Sequence, residues 1–250
     1  MSAARTLLVT GGSRGIGAEV VRMAAARGWR VAFSYVSNQA AADALAQEVQ
    51  EAGGEAFAVQ ADVGHEADIL RFFETVDRRF GRLDGLVNNA GVVDAKARVE
   101  EMSLARLERM IRINVIGSML CAREAVKRMS TRTGGTGGAI VNLSSAAARL
   151  GSPGEYVDYA ASKGAIDTFT VGLAREVAED GIRVNAVRPG LVDTDIHASG
   201  GQPDRLQRIR GQIPMKREGK AGEIAAAVVW LLSDEASYCT GALLDVSGGR

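Results

Sequence analysis

The chain has 250 residues, enough for one large α/β domain, with 46% hydrophobic and 24% charged. Thirty basic residues balance thirty acidic ones, which argues against a nucleic-acid or anionic-membrane surface as the main partner. No segment approaches the roughly 18 apolar residues of a membrane span, and the first ten residues lack the apolar stretch of a secretory signal. Cys121 and Cys239 stand far apart, in no metal-like spacing, so the expectation is a cytoplasmic protein with two buried thiols.

Residues 6–10 (TLLVT) predict a short strand ending at Gly11-Gly12, and 15–27 a helix with Ile16, Val20, Met23 and Ala24 on one face. Residues 30–35 are strand-like, and 39–52 form an Ala-rich helix stopped by Gly53-Gly54. A strand at 55–60, a helix at 66–80 stopped by Gly81, and a short strand at 85–88 follow. One long helix is predicted from about 103 to 129, then a glycine-rich surface loop at 133–138. The remaining strands are 139–143, 182–187 and 242–246, and the remaining helices 159–179 and 222–233. Such alternation means parallel strands joined by helical crossovers, with helices on both faces and apolar residues on both sides of each strand. The sequence shows no domain boundary, so 1–250 reads as a single domain. The polar stretch at about 193–215 breaks the alternation and reads as a substrate lid.

Between the first strand and first helix lies Thr10-Gly11-Gly12-Ser13-Arg14-Gly15-Ile16-Gly17, with glycines at 11, 15 and 17. A sharp turn there brings backbone N–H groups and the positive end of a helix to a pyrophosphate. The spacing is neither G-x-G-x-x-G nor a phosphate loop of the GxxxxGK[ST] kind.

Four more motifs accompany this turn: Asn88-Asn89-Ala90-Gly91 after the fourth strand, Ser144-Ser145 followed by Tyr159-Ala160-Ala161-Ser162-Lys163, Pro189-Gly190 leading to Val192 and Thr194, and TGALLDVSGG at 240–249. Asn114 stands in the long helix. Together, in this order, they resemble the short-chain dehydrogenase/reductase family over essentially the whole chain, nearest to 3-oxoacyl-carrier-protein-reductase-like and sugar-dehydrogenase-like members.

The resemblance implies a Rossmann-type, doubly wound, mostly parallel sheet of about seven strands. It also implies hydride transfer between a nicotinamide dinucleotide and a carbonyl or secondary alcohol, a CH–OH chemistry. Tyr159 and Lys163 are four apart on a predicted helix and share a face. A free tyrosine titrates at roughly 10, and a nearby ammonium favours its phenolate, so Tyr159 can exchange a proton with the substrate oxygen. Ser145, preferred over Ser144, would hydrogen-bond that oxygen. By resemblance, Asn114 orients Lys163 through a water, and Lys163 bonds the nicotinamide ribose. The cofactor contacts so implied are Gly11, Ser13, Arg14, Gly15, Ile16 and Gly17 in the turn, Asp62 and Val63 at adenine, and Asn88, Ala90 and Gly91 beside them. Pro189, Gly190, Val192 and Thr194 would touch the nicotinamide end, with Tyr159 and Lys163.

The second strand ends Tyr35-Val36-Ser37-Asn38, with no carboxylate to hold a ribose 2′-hydroxyl. Ser37, Asn38 and Arg14 suit a 2′-phosphate, so NADP(H) is expected over NAD(H). No metal site is expected; His65 reads as a helix-entry residue, and His197 falls in the lid. The alternatives are a sugar or polyol dehydrogenase, a catalytically silent nucleotide-binding sensor that kept the fold, and a methyltransferase, which gives no reason for Tyr159 and Lys163. The resemblance further implies a homotetramer, or a homodimer, built on the helices at about 103–129 and 157–179, where Gly117, Gly164 and Gly172 permit close approach.

Overall fold

The structure, a computed structural model, describes residues 4–194, 201 and 205–250. Its strands are β1 (Thr6–Val9), β2 (Arg30–Tyr35), β3 (Glu55–Gln60), β4 (Gly85–Asn88), β5 (Gly138–Leu143), β6 (Ile182–Pro189), β7 (Val192–Asp193), β8 (Gly219–Lys220) and β9 (Leu243–Val246). Among the described residues seven of them form one sheet, in the order β3-β2-β1-β4-β5-β6-β9. All its neighbouring pairs are parallel. The order reverses between β1 and β4, which opens a crevice beyond the carboxyl ends of the strands.

The helices are α1 (Gly15–Ala26), α2 (Gln39–Glu51), α3 (Glu66–Phe80), α4 (Leu104–Ile111), α5 (Ser118–Met129), α6 (Ala147–Leu150), α7 (Val157–Glu176), α8 (Arg205–Ile209) and α9 (Ala221–Leu232). Alternation along β1 shows how the two faces are filled. Leu7 and Val9 point into a cluster with Val20 and Ala24 of α1, Leu45 of α2 and Val228 of α9. Leu8, between them, joins Phe72 and Phe73 of α3 and Ala122 of α5 on the other face. A strand buried on both sides must be apolar at every position, which is why no in–out pattern shows in TLLV.

Three elements differ from the sequence expectation. The long helix over 103–129 is not uniformly α: α4 and α5 are joined by a π-helical segment, Arg112–Gly117. Such a segment inserts a residue into the helical ladder and leaves no mark on composition. A two-stranded parallel ribbon, β7 with β8, and the short α6 are additional. The expected lid at 193–215 lies partly outside the described residues, as does His197. Its described end packs Ile209 and Ile213 on Leu191.

Candidate active site

A crevice of about 1140 Å³ runs from the end of β2, over the glycine turn, to the start of α7 and on to α8. All the residues expected at the site line it except Gly17, Asn88 and Asn114.

The glycine turn is shaped by backbone conformation and by close packing. Gly11 and Gly15 have φ of +63° and +54°, values a side chain strains against. At Gly17 a Cβ would collide with the carbonyl oxygen of Gly11 and stand 2.5 Å from Asn89 Nδ2. Gly17 therefore packs the helix against the turn rather than lining the crevice. The turn is braced by Ser34, which no motif marks, and by Asn89, which the motif contains but which is absent from the expected contacts. Ser34 Oγ accepts the Gly11 N–H at 3.0 Å, and Asn89 Nδ2 donates to the carbonyls of Thr10 and Gly11 at 2.9 and 2.8 Å. Arg14 is exposed at the N-cap of α1 and forms no ion pair among the described residues.

Asn88 requires correction. It is buried, and its amide donates to Ser118 O at 3.0 Å and Asn142 Oδ1 at 2.9 Å, inside the fold. The asparagine that lines the crevice is Asn89. Two consecutive residues at the end of a strand point to opposite sides, and the motif alone does not say which faces out.

At the end of β2, Asn38 caps α2 by accepting the Ala41 N–H at 3.0 Å, so its amide N–H groups are what it can offer a ligand. Neighbouring Ser37 and Val36 are exposed. Asp62 accepts the Gly64 N–H at 2.8 Å, which folds the turn after β3, and His65 occupies the N-cap of α3.

Tyr159 and Lys163 lie in the first turns of α7, with Lys163 Nζ 5.7 Å from the Tyr159 ring centroid. Lys163 is buried and donates to Leu143 O at 2.6 Å. Burial pushes its ammonium down to about 8, while the negative charge of Asp167 opposes that shift. The adjacent serines differ sharply. Ser144 is buried and donates to Lys163 O at 3.2 Å, whereas Ser145 is half-buried and accepts the Ala147 N–H at 3.1 Å.

Asn114 sits in the π segment, fully buried. Its amide grips Val92 at both ends, accepting from the N–H at 2.8 Å and donating to the carbonyl at 2.9 Å. It also donates to Ser162 Oγ at 3.1 Å, tying α7 to the loop after β4. Gly91 fits between: a Cβ there would be 3.4 Å from Asn114 Oδ1 and 3.5 Å from Lys163 Nζ.

A family model described as enoyl-(acyl carrier protein) reductase matches residues 11–250. A short-chain dehydrogenase/reductase from Serratia marcescens BCRC 10948 has a solved structure that superimposes with a TM-score of 0.91 at 35% identity, covering 100% of this chain and 99% of that one. The chain belongs to the short-chain dehydrogenase/reductase family. It is 54% identical to the uncharacterized oxidoreductase YgfF of Escherichia coli strain K12, over 97% of this chain and 98% of that protein. The blue fluorescent protein from a metagenomic library, solved in complex with NADPH, has a TM-score of 0.90 at 36% identity and covers 98% of this chain and 97% of its own. This short-chain dehydrogenase/reductase is thus an oxidoreductase. Among its described residues no group of acidic, His and Cys side chains could hold a metal, and no helix is long and apolar enough to cross a membrane.

Proposed function

We propose that the chain is an NADPH-dependent ketone reductase, of 3-oxoacyl type, working between NADP(H) and a carbonyl or secondary alcohol. One observation carries this reading. A single crevice joins the braced glycine turn to Ser145, Tyr159 and a buried Lys163.

The residues fit a nicotinamide dinucleotide phosphate. Gly11, Ser13, Gly15 and Ile16 would hold the pyrophosphate at the start of α1, where free N–H groups meet the positive helix end. Asp62 and Val63 would border adenine, and Ala90, Gly91, Pro189, Gly190, Val192 and Thr194 the nicotinamide half. Arg14, Ser37 and the Asn38 amide would take the 2′-phosphate. The end of β2 offers no carboxylate to repel it, and Arg14 has no acidic partner to give up among the described residues. When bound, the dinucleotide supplies the hydride in the reducing direction and accepts it in the oxidising one.

Tyr159 is the proton donor to the substrate oxygen, and the acceptor in reverse. Lys163, held charged beside it, favours the phenolate that remains. Ser145 holds the substrate oxygen, because the hydroxyl of Ser144 is already spent on the backbone of α7. Asn114 acts at one remove, by fixing Val92 and Ser162 around Lys163.

The test is a panel of ketones, acetoacetyl thioesters and sugars read by NADPH oxidation and NADP⁺ reduction. Ketones and thioesters should turn over, with kcat/KM higher for NADPH than for NADH. Arg14→Ala should weaken NADPH selectively. Tyr159→Phe should lose at least about a hundredfold in kcat, the ordinary worth of a positioned general acid. Intact turnover in Tyr159→Phe would sink the mechanism, and a preference for NADH would sink the cofactor assignment. Sugar oxidation that outruns every ketone would make the protein a sugar dehydrogenase instead.

A further inference from the structure

One turn beyond Lys163 on α7 stands Asp167, a carboxylate that the chemistry above does not use. It is buried, and Arg188 of β6 clasps it with Nε at 3.0 Å and Nη2 at 2.8 Å. Both bonds reach the same oxygen, Oδ2. The other oxygen, Oδ1, is fully buried with no hydrogen-bond partner. Such an arrangement is costly: a buried carboxylate that uses half its accepting capacity loses hydration without full repayment. Its surroundings suggest why it persists. Asp167 follows Lys163 by four residues on one helix, so the two share a face. Arg188 directly precedes Pro189-Gly190, which line the nicotinamide end of the crevice.

We propose that Asp167, fixed by Arg188, is a positioning residue for Lys163: a buried counter-charge that keeps the ammonium protonated and ties its helix to the strand entering Pro189-Gly190. This rests on the reading of Tyr159 and Lys163 given above. Among the described residues no other charge stands so placed toward Lys163. On α7, Tyr159 is the proton carrier, and Asp158 is closed off by Arg106 at 2.7 Å. From β5 come Leu143 O and Ser144, and from the π segment and the loop after β4 the neutral Asn114 and Gly91. On that loop, Asp94 is paired with Arg109 at 3.2 Å. From β6 comes Arg188 itself; Asp245 of β9 is 3.9 Å from Arg188, and Arg149 of α6 is 3.4 Å from Asp245, farther along the same row. Burial alone drives the ammonium toward neutrality, and Asp167 is the group that resists it.

Lysine Cε carbon NMR of the full-length protein without cofactor reads this directly, since Lys96, Lys127, Lys163, Lys216 and Lys220 are the chain's lysines. Lys163→Met assigns the signal. In wild type it should titrate near 8. In Asp167→Asn it should titrate about one pH unit lower, the usual effect of removing one close opposite charge. Asp167→Glu should restore the wild-type curve, which mere packing would not do. If Asp167→Asn does not fold, Asp167→Asn/Arg188→Gln replaces the ion pair with a neutral amide pair, and the titration should still fall, by less than in the single variant, because the like charge of Arg188 leaves with the carboxylate. A folded variant lacking the carboxylate, with the Lys163 curve unmoved, overturns the proposal. The readout needs no turnover, so it stays separate from the Tyr159→Phe test. Activity lost in Tyr159→Phe with an unmoved Lys163 curve removes this inference alone.

Discussion

Lys163 shows what burying an ammonium costs in stability. Its ammonium is buried, with Leu143 O as a bonding partner, and its titration is pushed from 10.5 to about 8. Below 8 both the folded and the unfolded chain carry the proton, and the folded state bears the full penalty of about 3 kcal/mol. Between 8 and 10.5 the folded protein has released a proton that the unfolded chain still holds. Unfolding then takes up a proton, so stability rises with pH across that window. Lys163→Met removes both the penalty and a hydrogen bond worth about 1 kcal/mol, so at pH 7 it should be about 2 kcal/mol more stable while inactive. Denaturant titrations of the cofactor-free protein at pH 7 and pH 10 check this. If the variant keeps the wild-type pH dependence, Lys163 is not the group responsible.

Elements carry the next layer of control, and α4 is the clearest case. Arg106 donates to Asp158 through Nε at 2.7 Å and Nη2 at 3.1 Å, and to Ala95 O through Nη1 at 2.6 Å. Three nitrogens thus join α4, the first turn of α7 and the loop that lines the substrate end. The fork with Asp158 raises the Arg106 guanidinium above its ordinary range. Arg106→Gln leaves Asp158 buried and unpaired, a loss of about 3 kcal/mol. Because Tyr159 follows Asp158 directly, kcat with an active ketone should fall by roughly tenfold through misplacement. NADPH affinity should hold, since Arg106 does not line the crevice. A loss of NADPH binding equal to the loss of kcat would show general damage instead. This clamp was not legible in the sequence, because its partners lie 52 residues apart. What was legible had local or periodic causes: apolar runs for the parallel strands, glycine stops for the helices, and the turn at 10–17 for the crevice. What escaped depends on tertiary partners or on ladder geometry: Ser34 and Asn89 as braces, the outward choice between Asn88 and Asn89, the π segment, and the β7–β8 ribbon.

At the scale of the whole molecule, that π segment also aligns an apolar surface. Leu104, Leu107 and Ile111 are exposed along α4, and the stripe resumes at Ile116 and Met119. The step from 111 to 116 is five residues, the spacing of a π turn, so the extra residue keeps the stripe on one side. On α7, a Cβ added at Gly164 or Gly172 would meet nothing within 4 Å. An exposed stripe of large apolar side chains on one helix and open glycine positions on another can meet their own copies about a two-fold axis. With formal net charge zero, little repulsion opposes association. The homodimer that the family resemblance implies, as the unit of a homotetramer, would be built through these helices. Light scattering should give a multiple of the 26.3 kDa chain mass, and Ile111→Asp/Ile116→Asp should return it to one chain. Turnover should fall with dissociation, because Asn114, which fixes Val92 and Ser162 beside Lys163, lies between the two substituted positions on the same helix. A wild-type protein that is monomeric and fully active would remove both the interface and its link to the active site.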